Sequence, residues 1–124
     1  MAAITSVAPS LVTPAGEARI RRGEATEAIS AGQAVALDGA PSSARFEAAY
    51  GLAADETTAI GLALKNVAAG EVVDVLIAGE MGGYTGLTAG AQLSVVTGVL
   101  NTVAPAGASL RTFVAYNATT VIVL

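Results

Sequence analysis

Five Ala-Gly pairs along the chain are each followed, within a few residues, by a strand-like stretch. The glycines are Gly16, Gly32, Gly70, Gly90 and Gly107. Glycine adopts positive φ without the steric penalty of a Cβ atom, so it suits a tight turn that leads into a new strand. Because the spacings of 16, 38, 20 and 17 residues are irregular, a solenoid is not expected. The pattern predicts short strands joined by tight turns.

The stretches after these turns have the composition of β-strands. Residues 72–78 (VVDVLIA) are apolar on both alternating faces, as in a strand covered on both sides, and residues 119–124 (TTVIVL) are β-branched until the last. Ala18 and Ile20 alternate with Arg19 and Arg21, which predicts one buried and one solvated face. The expected fold class is therefore all-β (mainly β), a small β-barrel or sandwich-like domain with little helix.

Two segments are harder to interpret. Residues 43–59 are rich in alanine and form either a helix or a strand, a loop and a helical turn, since Gly51 interrupts the helical pattern. Residues 79–86 (GEMGGYTG) lack the lysine and following helix of a phosphate-binding loop. They are expected to form a wide turn between strands, with Tyr84 at its tip.

The first fourteen residues differ from the rest. They carry no charge and contain Pro9 and Pro14, which disfavour helix. We expect residues 1–14 to form an extended N-terminal arm and residues 15–124 a single β domain. The arm is either frayed or ordered by a partner that contacts its apolar side chains. Those candidate contact residues are Ile4, Val7, Leu11 and Val12. In the second case, deleting residues 2–13 would weaken partner binding more than folding.

Missing residue types exclude several kinds of chemistry. The chain has no Cys, so disulfides, thiolate nucleophiles and cysteine metal sites are excluded. It also has no His, the commonest acid–base residue near neutral pH and the commonest metal ligand. Neither a Gly-x-Ser-x-Gly nor a Ser-x-x-Lys motif occurs. We therefore expect no enzyme activity, no catalytic residues, no cofactor and no metal site.

The distribution of charge points to a protein partner. Net charge is −4, so nucleic-acid binding, which needs an excess of Lys and Arg, is not expected. Arg19, Arg21 and Arg22 lie close to Glu17, Glu24 and Glu27. The arginines and Glu24 are candidate intersubunit polar contacts, although they could also pair with the flanking glutamates or with a larger scaffold.

Low charge and high apolar content favour burial of the surface by neighbours. Only 13% of residues are charged and 53% are hydrophobic, and large exposed apolar patches usually mark an interaction site. The uncharged run between Met81 and Leu110 is interrupted by six glycines and Pro105, so it is a poor membrane span. The N-terminus lacks the basic region of a signal peptide. A soluble protein made in the cytoplasm, with no membrane partner, is expected.

The order of the motifs resembles a known family. The motifs are residues 29–38 (ISAGQAVALD), 59–66 (AIGLALKN), 68–75 (AAGEVVDV), 87–93 (LTAGAQL) and 98–100 (GVL), followed by a β-rich end. This order is similar to that of the capsid decoration proteins of tailed bacteriophages, which are also called head-stabilising or cement proteins. The similarity covers roughly residues 29–124. Residues 112–116 (TFVAY) lack the glycine that the family often has there.

This resemblance implies a structural virion protein with a compact β-barrel-like fold. Such proteins commonly assemble as homotrimers on the outer surface of the expanded capsid, bridge neighbouring major-capsid subunits and stabilise the shell. Their N-terminal arms often contact the capsid, which suits residues 1–14 here. The expected partners are the chain itself and the phage major capsid protein. The chain would be synthesised in the host bacterial cytoplasm and end on the virion exterior.

Two other functions remain open at this point. A tail, fibre or baseplate β-module of the virion, in contact with host glycans, would have a similar composition. A biotinyl or lipoyl carrier domain would use the single lysine, Lys65, to hold its cofactor. Lys65 stands between Leu64 and Asn66 at the end of an apolar stretch, which is more typical of a solvated strand end.

Overall fold

The described part of the chain is built from β-strands and turns. The computed structural model describes residues 4–12, 17–37, 48–54, 58–101 and 113–124. The strands in these ranges are β1 (Thr5–Leu11), β2 (Arg19–Ala25), β3 (Ala34–Leu37), β4 (Ala48–Leu52), β5 (Gly61–Ala63), β6 (Val72–Thr85), β7 (Ser94–Val96), β8 (Val99–Asn101), β9 (Phe113–Ala115) and β10 (Val121–Val123). No helix occurs in these ranges, so the all-β prediction is confirmed. The helical alternative for residues 43–59 is wrong where β4 forms.

Five strands pair in a closed order, which we call the strand circuit. β2 pairs in parallel with β4. The other pairings are antiparallel: β4 with β3, β3 with β5, β5 with β6, and β6 with β2, which closes the order. Apolar side chains from all five strands contact one another. Such contacts are possible only if these side chains point into the interior of the circuit. This first core consists of Ala25, Ile29, Val35, Tyr50, Ala63, Val67, Val73 and Val75.

The long strand β6 continues beyond the circuit into a second group of strands. There it pairs with β1 on one side and with β10 on the other, and β10 pairs with β9. The β7–β8 hairpin lies nearby, where the Ile4 amide donates to the Leu100 carbonyl. A second core fills the space between these strands and the outer face of the circuit. Its largest side chains are Ile4, Leu62, Leu76, Met81, Tyr84, Leu87, Leu93, Leu100 and Phe113.

Residues 79–86 do not form the predicted wide turn, because residues 72–85 are one continuous strand. Leu76 and Met81 both face the second core, although side chains five residues apart on a regular strand point to opposite faces. Gly79 lies between them with φ of 138°, and Gly83 has φ of 93°. Glycine is the residue that adopts such values freely, so these positions let β6 change faces. Tyr84 is buried rather than displayed at a tip.

The N-terminal segment is part of the sheet. β1 pairs antiparallel with the second half of β6, where Thr5 lies opposite Thr85 and Leu11 opposite Met81. The Val12 amide continues this pairing by donating to the Glu80 carbonyl. Residues 4–12 therefore belong to the β domain itself. Within the predicted arm, residues 5–6 and 10–12 are the ones that pair with β6.

Two stretches of the circuit repeat each other in sequence at an offset of 38 residues. The two copies span residues 23–35 and 61–73 and share the pattern G-x-A-x-x-x-[IV]-x-A-G-[QE]-x-V. In order, the matching positions are Gly23, Ala25, Ile29, Ala31, Gly32, Gln33 and Val35 in the first copy and Gly61, Ala63, Val67, Ala69, Gly70, Glu71 and Val73 in the second. The Ala-Gly pairs at Gly32 and Gly70 are part of this longer repeat.

The two copies face each other about a local two-fold axis. The Gly32 amide donates to the Ala63 carbonyl at 2.8 Å, and the equivalent Gly70 amide donates to the Ala25 carbonyl at 2.7 Å. In the first copy the Gln33 amide donates to the Ser30 carbonyl, and the Gln33 side chain accepts from the Ser30 amide. In the second copy Glu71 makes the same two hydrogen bonds with Ala68. Every hydrogen bond in this set has a counterpart in the other copy, so the repeat forms one interlocked unit.

The recurring turns adopt the predicted conformation wherever the structure describes them. Gly32, Gly70 and Gly90 have φ of 86°, 88° and 82°. In each turn the amide after the glycine donates to the carbonyl three residues before it, as in a type II turn with glycine at the third position. Gly16 and Gly107 lie outside the described residues.

Candidate functional site

The outer face of β2 and of the first half of β6 is the best candidate for a functional surface. Five side chains point outward from it: Ile20, Arg22, Glu24, Val72 and Asp74. We call this surface the β2–β6 face. Ile20 and Val72 are 39% and 43% exposed, which is high for aliphatic side chains in paired strands.

The face is covered at one end and open at the other. Leu76 lies two residues beyond Asp74 on the same side of β6, and it is completely buried in the second core. Val72, two residues before Asp74, has no such cover. The second core therefore ends at about the level of Leu76, and the sheet surface beyond it is exposed to solvent.

An ion pair occupies the centre of the β2–β6 face. Arg22 and Asp74 lie directly opposite each other on the antiparallel strands. The Arg22 Nε donates to Asp74 Oδ1 at 2.8 Å, and Nη2 donates to Oδ2 at 3.4 Å. The hydrogen bond from Arg22 lowers the pKa of the Asp74 carboxyl; partial burial opposes this, and the charges of Arg22 and Lys65 add to it.

The predicted arginine cluster is divided by the strand. Arg22 faces outward to Asp74, which was not among the partners considered from the sequence. Arg21 lies on the opposite side of β2, in line with the buried Gly23 and Ala25, and its side chain lies beside Tyr50. Arg19 is exposed. Backbone alternation thus places Arg21 and Arg22 in different environments.

The alternation predicted for β2 is wrong in one respect. Ile20 was expected on a buried face and Arg21 on a solvated one. In the structure Ile20 is exposed and shares the open face with Arg22. Arg21 is exposed as expected, on the opposite side of β2, where it lines a cavity beside the first core. The closed circuit explains the difference, because its interior face is set by Ala25 and Gly23 and not by the larger apolar residue.

The predicted contact residues near the N-terminus do not form one surface. Ile4 is buried in the second core, and Leu11 packs against that core. Val12 is exposed. Val7 lies in β1, and its side chain is outside the described part of the structure. Because Ile4 and Leu11 stabilise this domain, only Val12 is shown to be open to a partner.

Val72 and Asp74 are site residues that the sequence analysis missed. Residues 72–78 were interpreted as covered on both faces, since five of the seven side chains are large and apolar. The signal that could have corrected this is Asp74 itself. A carboxylate is almost never fully buried unless it is paired, so the face that it shares with Val72 had to reach solvent.

Two further observations concern the described residues as a set. No group of three or more His, Cys, Asp or Glu side chains in these ranges lies close enough together to hold a metal ion. The same residues contain no helix that is long and apolar enough to cross a bilayer.

Comparison with known proteins gives no family assignment. No family model matches this chain, and no curated protein matches it.

Proposed function

We propose that this chain is a structural virion protein that binds the outer surface of a tailed-phage capsid. In this proposal it bridges neighbouring major-capsid subunits, stabilises the expanded shell and has no catalytic role. The observation that carries the proposal is the β2–β6 face, a sheet surface with exposed Ile20 and Val72 on either side of the Arg22–Asp74 pair. The order of sequence motifs described above is consistent with the same function.

The energetics of such a face suit a protein that binds in many copies. Complete burial of a Val or Ile side chain contributes about 1.5–3 kcal/mol relative to full exposure. Since Ile20 and Val72 are already more than half buried, covering the remainder would contribute roughly 1 kcal/mol each. One such contact is weak, but a homotrimer that presents three copies to a repeating shell gains strongly from multivalency.

A matched pair of variants tests this proposal. Val72 is 43% exposed on β6, and Val96 is 42% exposed on β7, so Val72→Asp and Val96→Asp make the same change at similar exposure. We expect purified wild-type protein and Val96→Asp to bind expanded, undecorated capsids and to raise the capsid melting temperature. Val72→Asp should bind at least about tenfold more weakly, while its own melting temperature matches that of Val96→Asp.

Three results would contradict the proposal or part of it. If wild-type protein neither binds the capsids nor stabilises them, the proposed function is wrong. If Val72→Asp binds as well as wild type, the function stands but the β2–β6 face is not the contact. Labelling of virions that places the protein at the tail would instead favour the fibre or baseplate alternative.

A further inference from the structure

A cavity lies at one end of the strand circuit. It has a volume of about 250 Å³, is open to solvent, and is lined by Arg21, Leu37, Tyr50, Ile60 and Ile77. Four of these residues lie on β2, β3, β4 and β6, and Ile60 directly precedes β5. Four of the five strands, together with the residue that leads into the fifth, therefore form its wall, which identifies the cavity as the mouth of the circuit. Small β-barrels commonly bind ligands at this position.

The opposite end of the circuit is closed. Ile29 and Val67 form an isolated β-bridge there, and both side chains are buried in the first core. Among the described residues, the circuit is therefore open to a ligand at the end with the cavity.

The wall combines apolar side chains with a single cation. Leu37, Ile60 and Ile77 supply aliphatic surface, and Leu37 is the most exposed of them. Arg21 lies beside Tyr50 in this wall. Among the described residues, no carboxylate forms a salt bridge with Arg21, whereas the neighbouring Arg22 has Asp74. Burial raises the pKa of Tyr50, and the charge of Arg21 opposes that rise, so Tyr50 stays neutral near pH 7 and does not offset the charge of Arg21.

The volume sets the size of the ligand. An apolar cavity of about 150 Å³ holds benzene, which has about six non-hydrogen atoms. By the same proportion, 250 Å³ would hold about ten such atoms. A chain of about eight carbons with a carboxylate matches this number.

We propose that the mouth of the strand circuit binds a medium-chain aliphatic carboxylate. The alkyl chain packs against Leu37, Ile60 and Ile77, and the carboxylate accepts hydrogen bonds from the Arg21 guanidinium, whose planar donors suit a carboxylate. This site is separate from the β2–β6 face, since Arg21 and Arg22 point to opposite sides of β2. The proposal does not depend on capsid binding.

Titration of the full chain with octanoate tests the proposal. We expect saturable binding with a Kd of about 1 mM or below, with shifts of the methyl NMR signals of Leu37, Ile60 and Ile77. Octan-1-ol, which has the same chain without the charge, should bind at least about tenfold more weakly.

Two variants with the same charge change provide the control. Arg21→Gln should weaken octanoate binding at least about tenfold, while Arg19→Gln, on the same strand but away from the cavity, should leave it unchanged. Both variants are first checked for a wild-type NMR spectrum. A wild-type protein that does not bind octanoate, equal losses in the two variants, or methyl shifts that appear only elsewhere would each overturn the proposal. Nuclear Overhauser contacts that show the cavity filled by another segment of the chain would also overturn it.

Discussion

Ile29 and Val67 exchange both of their backbone hydrogen bonds, with N–O distances of 3.0 and 2.8 Å. They occupy equivalent positions in the two copies of the repeat (residues 23–35 and 61–73), so this bridge lies on the local two-fold axis. Each residue stands three positions before its turn glycine, Gly32 or Gly70. The same bridge closes one end of the strand circuit, which leaves the cavity at the other end as its opening.

Two glycines of the second copy, Gly61 and Gly70, should each be destabilised by substitution with alanine, but for different physical reasons. A Cβ atom at Gly61 would collide with the Leu76 carbonyl and lie 2.8 Å from Val75 Cγ1. Since a backbone carbonyl cannot move aside, Gly61→Ala should cost about 3 kcal/mol or more in the free energy of unfolding. At Gly70 nothing lies within 4 Å, but φ is +88°, so Gly70→Ala should cost only about 1–2 kcal/mol. Urea unfolding of both variants measures this order, and equal losses would contradict it.

Tyr84 predicts a loss of stability in alkali. Its buried hydroxyl donates to the Gly32 carbonyl at 2.9 Å, and burial raises its pKa well above the ordinary value of 10.0. The unfolded chain therefore releases this proton first as the pH rises above 10. The contribution is fully present below pH 10 and decreases above it, by up to about 1.4 kcal/mol per pH unit.

Unfolding measured at pH 9, 10 and 11 tests this assignment against Tyr84→Phe. The variant should lose about 0.5–1.5 kcal/mol at pH 7, because the hydrogen bond is gone, yet its stability should decrease less steeply above pH 10. Tyr50 also has a raised pKa, so part of the slope should remain. A variant whose stability falls as steeply as that of wild type would show that Tyr84 is not the group responsible.

The Arg22–Asp74 pair predicts a small effect in acid. The pKa of Asp74 is lowered in the folded protein, so the pair stabilises the fold above the ordinary carboxyl pKa of about 3.9. That stabilisation is lost as the pH falls through the lower, folded-state pKa. Because Arg22 is largely exposed, we expect Asp74→Asn to cost only about 0–1 kcal/mol at pH 7.

The difference between Asp74→Asn and wild type should disappear at about pH 2 and decrease in high salt. Thermal unfolding at pH 7 and pH 2 in low and high salt measures both effects. A difference that persists unchanged at pH 2 would mean that Asp74 acts through packing and not through its charge.

Removing residues 2–13 should now weaken folding itself. The deletion removes the pairing of β1 with β6 and takes Ile4 out of the second core. Loss of a buried Ile side chain alone costs about 2–5 kcal/mol, so we expect a melting temperature lower by at least about 8 °C. An unchanged melting temperature together with lost capsid binding would restore the original hypothesis of an independent arm.

The local features of this fold could be predicted from the sequence. Gly32, Gly70 and Gly90 form the expected turns, and the β-branched stretch that becomes β10 was recognised as a strand. Both results depend on preferences of single residues: glycine tolerates positive φ, and Val and Ile fit an extended, packed backbone. These preferences act within a few residues, so they are visible without knowledge of the partners.

Tertiary structure alone decided which side of each strand is buried and which segments meet. Ile20, which was expected to be buried, is exposed because the circuit closes with Gly23 and Ala25 inside it. The glycine-rich stretch around Tyr84 became a strand because β1 and β10 pair with it on both sides. Local propensity cannot encode such choices, since they depend on side chains and backbone groups that are distant in sequence and become neighbours only when the sheet closes.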